Sequence, residues 1–425
     1  MVGSRYHGAR ESARTARRVA LVGTVLAAAA LLSALAVYVQ GRRTRTRLEG
    51  EIIQLKSQLS HDRHTRVTRL AAIAAERKVL AERDASLGAR VEALHEAERA
   101  LRGELAEARA KAAEGGTEVE ELKARLRETQ QRLRAFELDR LRTEQMIGRF
   151  QAGVAFVEGA FGFFDAAGLP LRYIAADANG VPETDPEGKT LFTATGSGPI
   201  VRLRYMGTAF LVGRDGHLFT NRHIAEPWWR SAPASQLAAK GFTPRLEHLR
   251  AYFPAEKEPF DLRVVGLSEE ADAALVAADL RGRKLPVFPI DAGKASPAAG
   301  QPIVLLGYPT GLDAVLARID EKVLKTVLDA AGGDNEKMSA ELARLGLLRP
   351  LSTQGHLSDV LPGRLTYDAQ TTLGGSGGPV LSAQGKVIGV NAAILTDFSG
   401  ASFGVPVRFA VALLPSGMSP RPAKR

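Results

Sequence analysis

One serine set among four glycines, in Gly374-Gly375-Ser376-Gly377-Gly378-Pro379-Val380, limits what this chain can fold into more than any other segment. The glycines leave the serine hydroxyl almost uncovered, and their backbone N–H groups can point at a developing negative charge. A plain glycine turn between two strands is the simpler interpretation. Such a turn seldom carries one serine and then leads into an apolar strand, so the segment predicts a nucleophile.

Chain order decides where the partners of this serine lie. The run also fits the G-x-S-x-G turn of α/β hydrolases, in which the catalytic histidine follows the serine. The last histidine of this chain is His356, which precedes Ser376. The remaining order is histidine, then aspartate, then serine, so both partners must be sought upstream.

His223 is the predicted general base. It follows an apolar strand, an Asp-Gly turn and a second strand that ends near Thr220, a position that is held rigidly and can face a cleft. His217 lies against the turn, His248 lies in a charged stretch that we expect to be helical, and His356 follows a loop glycine. Taken alone, His223 could equally be a structural histidine.

Asp272 is the predicted acid. It opens the apolar strand Asp272-Ala273-Ala274-Leu275-Val276, where a carboxylate can be half buried and accept an imidazole N–H. Asp261 and Asp279 lie beside charged residues that suit solvent. A strand or helix cap is the simpler interpretation of Asp272 alone, but the three features in this order favour a catalytic triad.

These segments resemble a known family. Thr220–Ile224, Asp272–Leu275 and Gly374–Pro379 resemble the three catalytic motifs of trypsin-like serine proteases, most closely the bacterial Deg-type (high-temperature-requirement) branch. Gly307–Gly311 and Ser402–Val407 resemble two further segments of that branch. The resemblance covers about residues 195–415 and implies an all-β, chymotrypsin-like double β-barrel. Gly375 stands where the branch usually has asparagine, and we expect no PDZ domain.

The resemblance also implies the site and its chemistry. Ser376 attacks a peptide bond of a polypeptide substrate, His223 moves the proton, and Asp272 orients His223. The N–H groups of Gly374 and Ser376 form the oxyanion hole. No cofactor or metal is expected, because the chain holds no His-Glu-x-x-His pattern and no phosphate loop. The predicted substrate-binding residues are Gln370 and Thr371 in an uncharged specificity pocket, and Asn391, Ala392 and Ala393 in a strand that pairs with the substrate.

Residues 19–39 are 21 uncharged, mostly Ala, Leu and Val positions, long enough to span a bilayer as a transmembrane helix. They follow a basic tail, residues 1–18. A signal peptide cleaved near Ala34-Leu35-Ala36 is the alternative, although the apolar run is long for one. Arginines flank both ends, so charge alone does not set the orientation. The apolar run predicts a single-pass protein of the bacterial inner membrane, and the resemblance implies that its protease domain is periplasmic.

Composition narrows the function further. The chain has 425 residues and no cysteine, which excludes a disulfide framework and a thiol nucleophile. Its net charge is +10, but residues 1–47 hold nine arginines against one acid and so account for +8 of it. The basic charge therefore belongs to the membrane flanks, and no nucleic-acid partner is expected.

Residues 44–147 are rich in Ala, Glu, Arg and Leu and contain no proline, which predicts a long helix. Apolar residues recur with a period of seven from Ile73 to Leu101, which favours a coiled-coil stalk and a homo-oligomer. A solvated helix, or one packed on its own protease domain, is the alternative. Gly115-Gly116 is a predicted hinge.

The protease domain is predicted over residues 148–415, with a flexible tail at residues 416–425. Within it, residues 312–350 form a helical insert, because apolar residues recur at three- and four-residue steps and Gly332-Gly333 separates two helices. We expect this insert to lie near the cleft and regulate access, or else to be a passive surface addition. Two other functions stay open: a catalytically silent binding module, and a membrane scaffold built on the coiled coil.

Overall fold

The computed structural model describes residues 92–107, 117–174, 191–195, 198–291, 297–308, 311–371, 374–394 and 402–415, with the single residues 78 and 89. The predicted membrane span, the hinge glycines 115 and 116 and the tail lie outside these residues. In the described part of the chain, no helix is both long and apolar enough to cross a bilayer.

Two six-stranded barrels form the body of the protein, as predicted. The first barrel closes in the order β1-β4-β5-β8-β7-β6 and the second in the order β10-β11-β14-β13-β12-β9, with antiparallel pairing throughout. The strands are β1 (Val154–Phe164), β2 (Arg172–Tyr173), β3 (Phe192–Thr193), β4 (Arg202–Leu211), β5 (His217–Thr220), β6 (Thr243–Tyr252), β7 (Phe260–Leu267), β8 (Ala274–Ala278), β9 (Pro302–Gly307), β10 (Leu351–Leu361), β11 (Arg364–Tyr367), β12 (Pro379–Ser382), β13 (Val387–Ile394) and β14 (Ser402–Pro406).

The helices lie outside the barrels. They are α1 (residues 92–107), α2 (Thr117–Phe150), α3 (Arg222–Ala225), α4 (Ala232–Ala239), α5 (Leu312–Ala317), α6 (Glu321–Ala331), α7 (Asn335–Arg344) and α8 (Arg408–Val411).

The largest hydrophobic cluster joins the two barrels. Phe156 and Phe210 of the first barrel are fully buried in it together with Tyr308 and Val390 of the second. Phe288, in the connection between the barrels, packs edge-on against Phe210 with ring centroids 5.4 Å apart. Such a shared core fixes the alignment of the barrels, which matters because a double-barrel protease places its site between them.

Helices α1 and α2 lie in the region predicted to form a coiled-coil stalk, one on each side of the predicted hinge. Gln130 of α2 donates a hydrogen bond to Glu98 of α1 at 3.2 Å, and Leu105 of α1 is buried with Leu122 of α2. Residue 98 of α1 meets residue 130 of α2, whereas the later residue 105 meets the earlier residue 122. The two helices therefore run antiparallel. Part of the apolar repeat therefore packs within the chain, since Leu105 and Leu122 are buried against each other.

Helix α2 is joined firmly to the barrels. It ends at Phe150, and a single 3-10 turn, Gln151–Gly153, leads into β1. The ring of Phe150 stacks on Phe288 with centroids 5.1 Å apart, and Met146 is buried in the same cluster. This end of the predicted helical region therefore packs on the barrels.

The insert is helical, as predicted, and folds as a helical hairpin. Asp320 caps α6 by accepting the Lys322 N–H at 2.8 Å, and Gly332 ends it in the left-handed conformation with φ of 57°. Asp334 then caps α7. The buried side of both helices joins the shared core through Leu324, Val327, Leu328, Met338 and Leu342.

The insert lies between β9 and β10 of the second barrel in sequence, but it packs on the first barrel. Ser339 of α7 donates to the Glu158 carboxylate of β1 at 3.0 Å, and Arg204 of β4 pairs with Asp334 at 3.3 Å and with Glu336 at 3.2 Å. The pairs with Arg204 are partly exposed and contribute little to stability. The buried contact between Ser339 and Glu158 is the more consequential one, because the insert bridges the barrels there.

Glu158 is only 3% exposed, and burial raises its pKa to about 7 despite hydrogen bonds from Ser339 and from Tyr252 at 3.2 Å. Because the folded state favours the protonated carboxyl group, Glu158 contributes its full stabilisation below the ordinary carboxyl pKa of 4.5. That stabilisation is lost as the pH rises through the folded-state pKa of about 7. The loss amounts to about 3 kcal/mol for a shift of this size.

We therefore expect Glu158→Gln to remove this pH dependence. Wild type and variant should be similarly stable near pH 4.5, and the variant should be more stable at pH 8, as measured by urea unfolding. The exposed Glu258→Gln is the control. Stability curves that run parallel for wild type and Glu158→Gln from pH 4.5 to 8 would contradict the expectation.

Candidate active site

The histidine and the aspartate meet because their strands are neighbours. Strand β5 pairs antiparallel with β8, with Thr220 opposite Ala274. His223 comes just after the end of β5, in the short helix α3, and Asp272 comes just before the start of β8. Residues that leave one strand and enter its antiparallel neighbour lie at the same barrel edge.

Asp272 holds His223 at two points. Its Oδ2 lies 2.7 Å from His223 Nδ1, and its Oδ1 accepts the His223 backbone N–H at 3.0 Å. Asn221 donates to the Asp272 carbonyl at 2.7 Å. The His223 side chain is 35% exposed and the Asp272 side chain 23%. This arrangement favours the tautomer with the proton on Nδ1, which leaves Nε2 free to act as a base.

Thr208 of β4 ties the serine loop to the first barrel. Its N–H donates to Ser376 O at 2.8 Å, and its hydroxyl donates to Gly374 O at 2.8 Å. The same hydroxyl accepts the Tyr308 N–H at 3.2 Å, so one side chain joins β4, the serine loop and the end of β9. Sequence reasoning missed Thr208, whose only signal is a hydroxyl in the apolar second half of β4.

The loop also lies against the strand that leads to His223. A Cβ atom on Gly377 would overlap both Thr208 O and the hydroxyl of Thr220. Only glycine fits this contact. Gly377, the residue after Ser376, therefore lies against Thr220 at the end of β5. Thr220 is three positions before His223.

The serine hydroxyl itself points to the second barrel. Ser376 Oγ donates to the Ala392 carbonyl at 2.9 Å, and in the described part of the chain no hydrogen bond joins it to His223. Catalytic hydrogen bonds are often made only when substrate is bound. The predicted triad is thus assembled at its Asp272–His223 contact and not at its His223–Ser376 contact.

The predicted oxyanion hole has free donors. The N–H groups of Gly374 and Ser376 donate to no acceptor among the described residues. The carbonyl of Gly375 between them accepts from Asn391 Nδ2 at 2.8 Å and from the Gly378 N–H at 3.2 Å. These two bonds hold the glycine peptide, and Gly374 adopts a φ of 93° that favours glycine.

The predicted substrate residues have different environments. Gln370 and Thr371 line a small pocket beside Gly375. Asn391 is 2% exposed and its side chain is used internally: Nδ2 donates to Thr371 Oγ1 at 3.0 Å as well as to Gly375 O, and Oδ1 accepts from Tyr367 Oη at 2.6 Å. Asn391 therefore acts as an internal support for the serine loop.

Strand β13 is open to a substrate only beyond Asn391. The Asn391 N–H donates to Gly378 O at 2.8 Å, and its carbonyl accepts the Gly377 N–H at 2.7 Å. The register between β13 and β14 shifts between Asn391 and Ala393, and no strand among the described residues pairs with the other side of β13 there. A substrate strand can therefore use the backbone of Ala392 and Ala393, whereas the groups of Asn391 are occupied. In the residues that the structure describes, no cluster of His, Asp and Glu could hold a metal ion.

Two barrels with an Asp–His pair at the edge of the first, and a glycine-flanked serine at the edge of the second, define the trypsin-like class of peptidases. Residues 207–390 match the family described as "Trypsin-like peptidase domain". Over these residues, which are less than half of the chain, the protein is similar to a trypsin-like peptidase domain, as its motifs predicted.

Two of the curated relatives are named as proteases. "Protease Do-like 1, chloroplastic" of Arabidopsis thaliana is 28% identical over 199 residues, which are 47% of this chain and 35% of that protein. "Probable periplasmic serine endoprotease DegP-like" of Pseudomonas fluorescens is 25% identical over 210 residues, 48% of this chain and 33% of that protein. The chain therefore spans about a third of the length of these two relatives.

Solved structures include the serine endoprotease from Yersinia pestis, which is 17% identical with a TM-score of 0.36 over 63% of this chain and 64% of its own. Deg5 is 16% identical with a TM-score of 0.37, and the match covers 64% of this chain and 92% of Deg5.

Proposed function

We propose that this protein is a membrane-anchored serine endopeptidase of the bacterial envelope that cleaves polypeptides through a His223–Asp272–Ser376 triad. The observation that carries the proposal is the two-point hydrogen bonding of His223 by Asp272, at 2.7 and 3.0 Å. A carboxylate that binds both the ring and the backbone of one histidine sets the orientation of the imidazole and stabilises its protonated form.

The proposed reaction is acyl transfer. His223 Nε2 takes the proton from Ser376 Oγ as this oxygen attacks the carbonyl carbon of the scissile bond. The N–H groups of Gly374 and Ser376 stabilise the oxyanion, and losing one such donor typically costs about 3 kcal/mol. His223 then gives the proton to the leaving amine as the C–N bond breaks. Water, deprotonated by His223, releases the acyl group and restores Ser376.

The substrate is an extended polypeptide. Its backbone pairs with Ala392 and Ala393 beyond the occupied part of β13. An N–H of the bound chain can donate to the Ala392 carbonyl in place of the Ser376 hydroxyl. The hydroxyl is then free to donate to His223. Substrate binding and assembly of the triad are then coupled. The turn at Gly311, where the helical insert begins, lies against Gly374, so the insert adjoins the proposed oxyanion hole and is placed to regulate it.

The setting follows from the N-terminal part of the sequence and from the relatives. Residues 19–39 anchor the chain in the inner membrane, and a DegP-like relative is named as periplasmic. Self-association through the helical region remains part of the proposal. Two exposed leucines of α2, Leu138 and Leu141, lie three residues apart on one face and support it.

A catalytically silent binding module is the second candidate. The observation in its favour is the Ser376 hydroxyl, which is bonded to Ala392 rather than to His223.

Labelling of the full-length protein with a fluorophosphonate separates the two candidates. We expect wild type to be labelled, Ser376→Ala to be unlabelled and unable to cleave casein, and Ser235→Ala, which removes an exposed serine of α4, to behave as wild type. Absence of labelling in wild type, under conditions that label a known serine protease, would favour the silent module.

A further inference from the structure

The pocket beside the serine loop has no charged residue in its lining. Gln370, Thr371 and Gly375 line one side and Asn391 another, while β9 and β10 contribute leucines and one polar side chain, Thr353. Gly375 directly precedes the proposed nucleophile. The pocket therefore adjoins the position of the scissile carbonyl group.

Thr353 is the unexplained group in this pocket. It lies on β10 opposite Leu305 of β9 and is 8% exposed. Its hydroxyl is buried and finds no hydrogen-bond partner among the described residues. A buried hydroxyl without a partner is unfavourable, so such a group in a native fold calls for an explanation. Because the hydroxyl lies in the lining of a pocket, a bound group that forms hydrogen bonds can satisfy it.

The neighbouring polar groups define what that ligand offers. Asn391 uses both amide hydrogens, on Thr371 Oγ1 at 3.0 Å and on Gly375 O at 2.8 Å. Thr371 accepts this bond, and no acceptor among the described residues takes its own proton. Thr353 can both donate and accept. A small neutral group that also donates and accepts, a hydroxyl, satisfies Thr353 and can accept from Thr371.

We propose that this pocket receives the side chain preceding the scissile bond and that Thr353 selects threonine or serine there. The inference rests on the proposed peptidase function and names its substrate class. An apolar pocket cannot distinguish threonine from the isosteric valine strongly, whereas a site that hydrogen-bonds a hydroxyl rejects the analogue that lacks it. Basic and acidic side chains find no counter-charge in the lining.

The test exchanges a hydroxyl for a methyl group on each side of the contact. Two peptides that differ only in Thr or Val before the cleaved bond are assayed with the full-length wild type and with Thr353→Val. We expect wild type to prefer the Thr peptide by roughly tenfold or more in kcat/KM. Thr353→Val should lose this preference while cleaving the Val peptide at least as well as wild type does. Thr366→Val, on β11 of the same barrel, is the control and should keep the preference.

The outcomes separate this inference from the peptidase proposal. Equal kcat/KM for both peptides in wild type, or a preference unchanged by Thr353→Val, overturns the selection of hydroxyl groups while leaving the peptidase intact. Failure of wild type to cleave either peptide, together with no fluorophosphonate labelling, overturns both. If Thr353→Val does not fold, a Ser and Ala pair of peptides on wild type gives the second measurement, and equal rates for that pair overturn the inference.

Discussion

Replacing Asp272 with asparagine is expected to lower kcat by about four orders of magnitude, the size of effect seen when the acid of such a triad is neutralised. The reason is the tautomer of His223. Asp272 accepts from Nδ1 at 2.7 Å and from the backbone N–H at 3.0 Å. An asparagine amide can instead donate to Nδ1, which moves the ring proton to Nε2 and removes the base that the proposed reaction needs.

The measurement is kcat on a peptide substrate, with circular dichroism to show that Asp272→Asn is folded. Asp261→Asn is the matched control, since Asp261 was the weaker candidate from sequence and its side chain is 84% exposed. It should retain nearly all activity. A loss below tenfold for Asp272→Asn would show that this carboxylate does not orient the catalytic base.

Gly377→Ala is expected to be the most disruptive single substitution of the serine loop. The added Cβ atom would overlap the Thr208 carbonyl, a backbone atom that cannot move aside without separating β4 from the loop. Gly377 also has a φ of 89°, which alanine rarely adopts. We expect a loss of at least about 3 kcal/mol in the free energy of unfolding, together with loss of activity.

Gly282→Ala separates the effect of the overlapping Cβ atom from the effect of the positive φ. Gly282 has a φ of 76°, but its Cβ would meet no atom within 4 Å. This control should therefore show only the backbone cost, about 1 kcal/mol. Urea unfolding of both variants provides the comparison. A Gly377→Ala variant no less stable than Gly282→Ala would mean that the loop does not pack against β4 as described.

The motif residues could be found from sequence because their signals are local. Each has a short pattern of its own, and chain order alone excluded the hydrolase turn. The helices of the insert were also predictable, since Gly332 and the spacing of leucines act within a few residues. The meeting of His223 with Asp272 could be expected from the resemblance, and the pairing of β5 with β8 is its physical cause.

What the sequence did not reveal depends on contacts between distant residues. Asn391 was predicted to pair with the substrate through its main chain, and the sequence gives no sign that Tyr367, 24 residues away, and Thr371 hold its side chain. The docking of Ser339 on Glu158 joins residues 181 apart. Nor does a heptad pattern state whether its leucines meet another chain or the same one. Here Leu105 and Leu122 meet within one chain.

The short connection between α2 and β1 has a mechanical consequence. Only a three-residue turn separates the last residue of the helix, Phe150, from the first of the barrel, Val154, and Phe150 is wedged against Phe288 at the junction of the barrels. The two barrels therefore cannot rotate freely about this connection. A change in the tilt of α2 is therefore expected to move the junction of the two barrels with it.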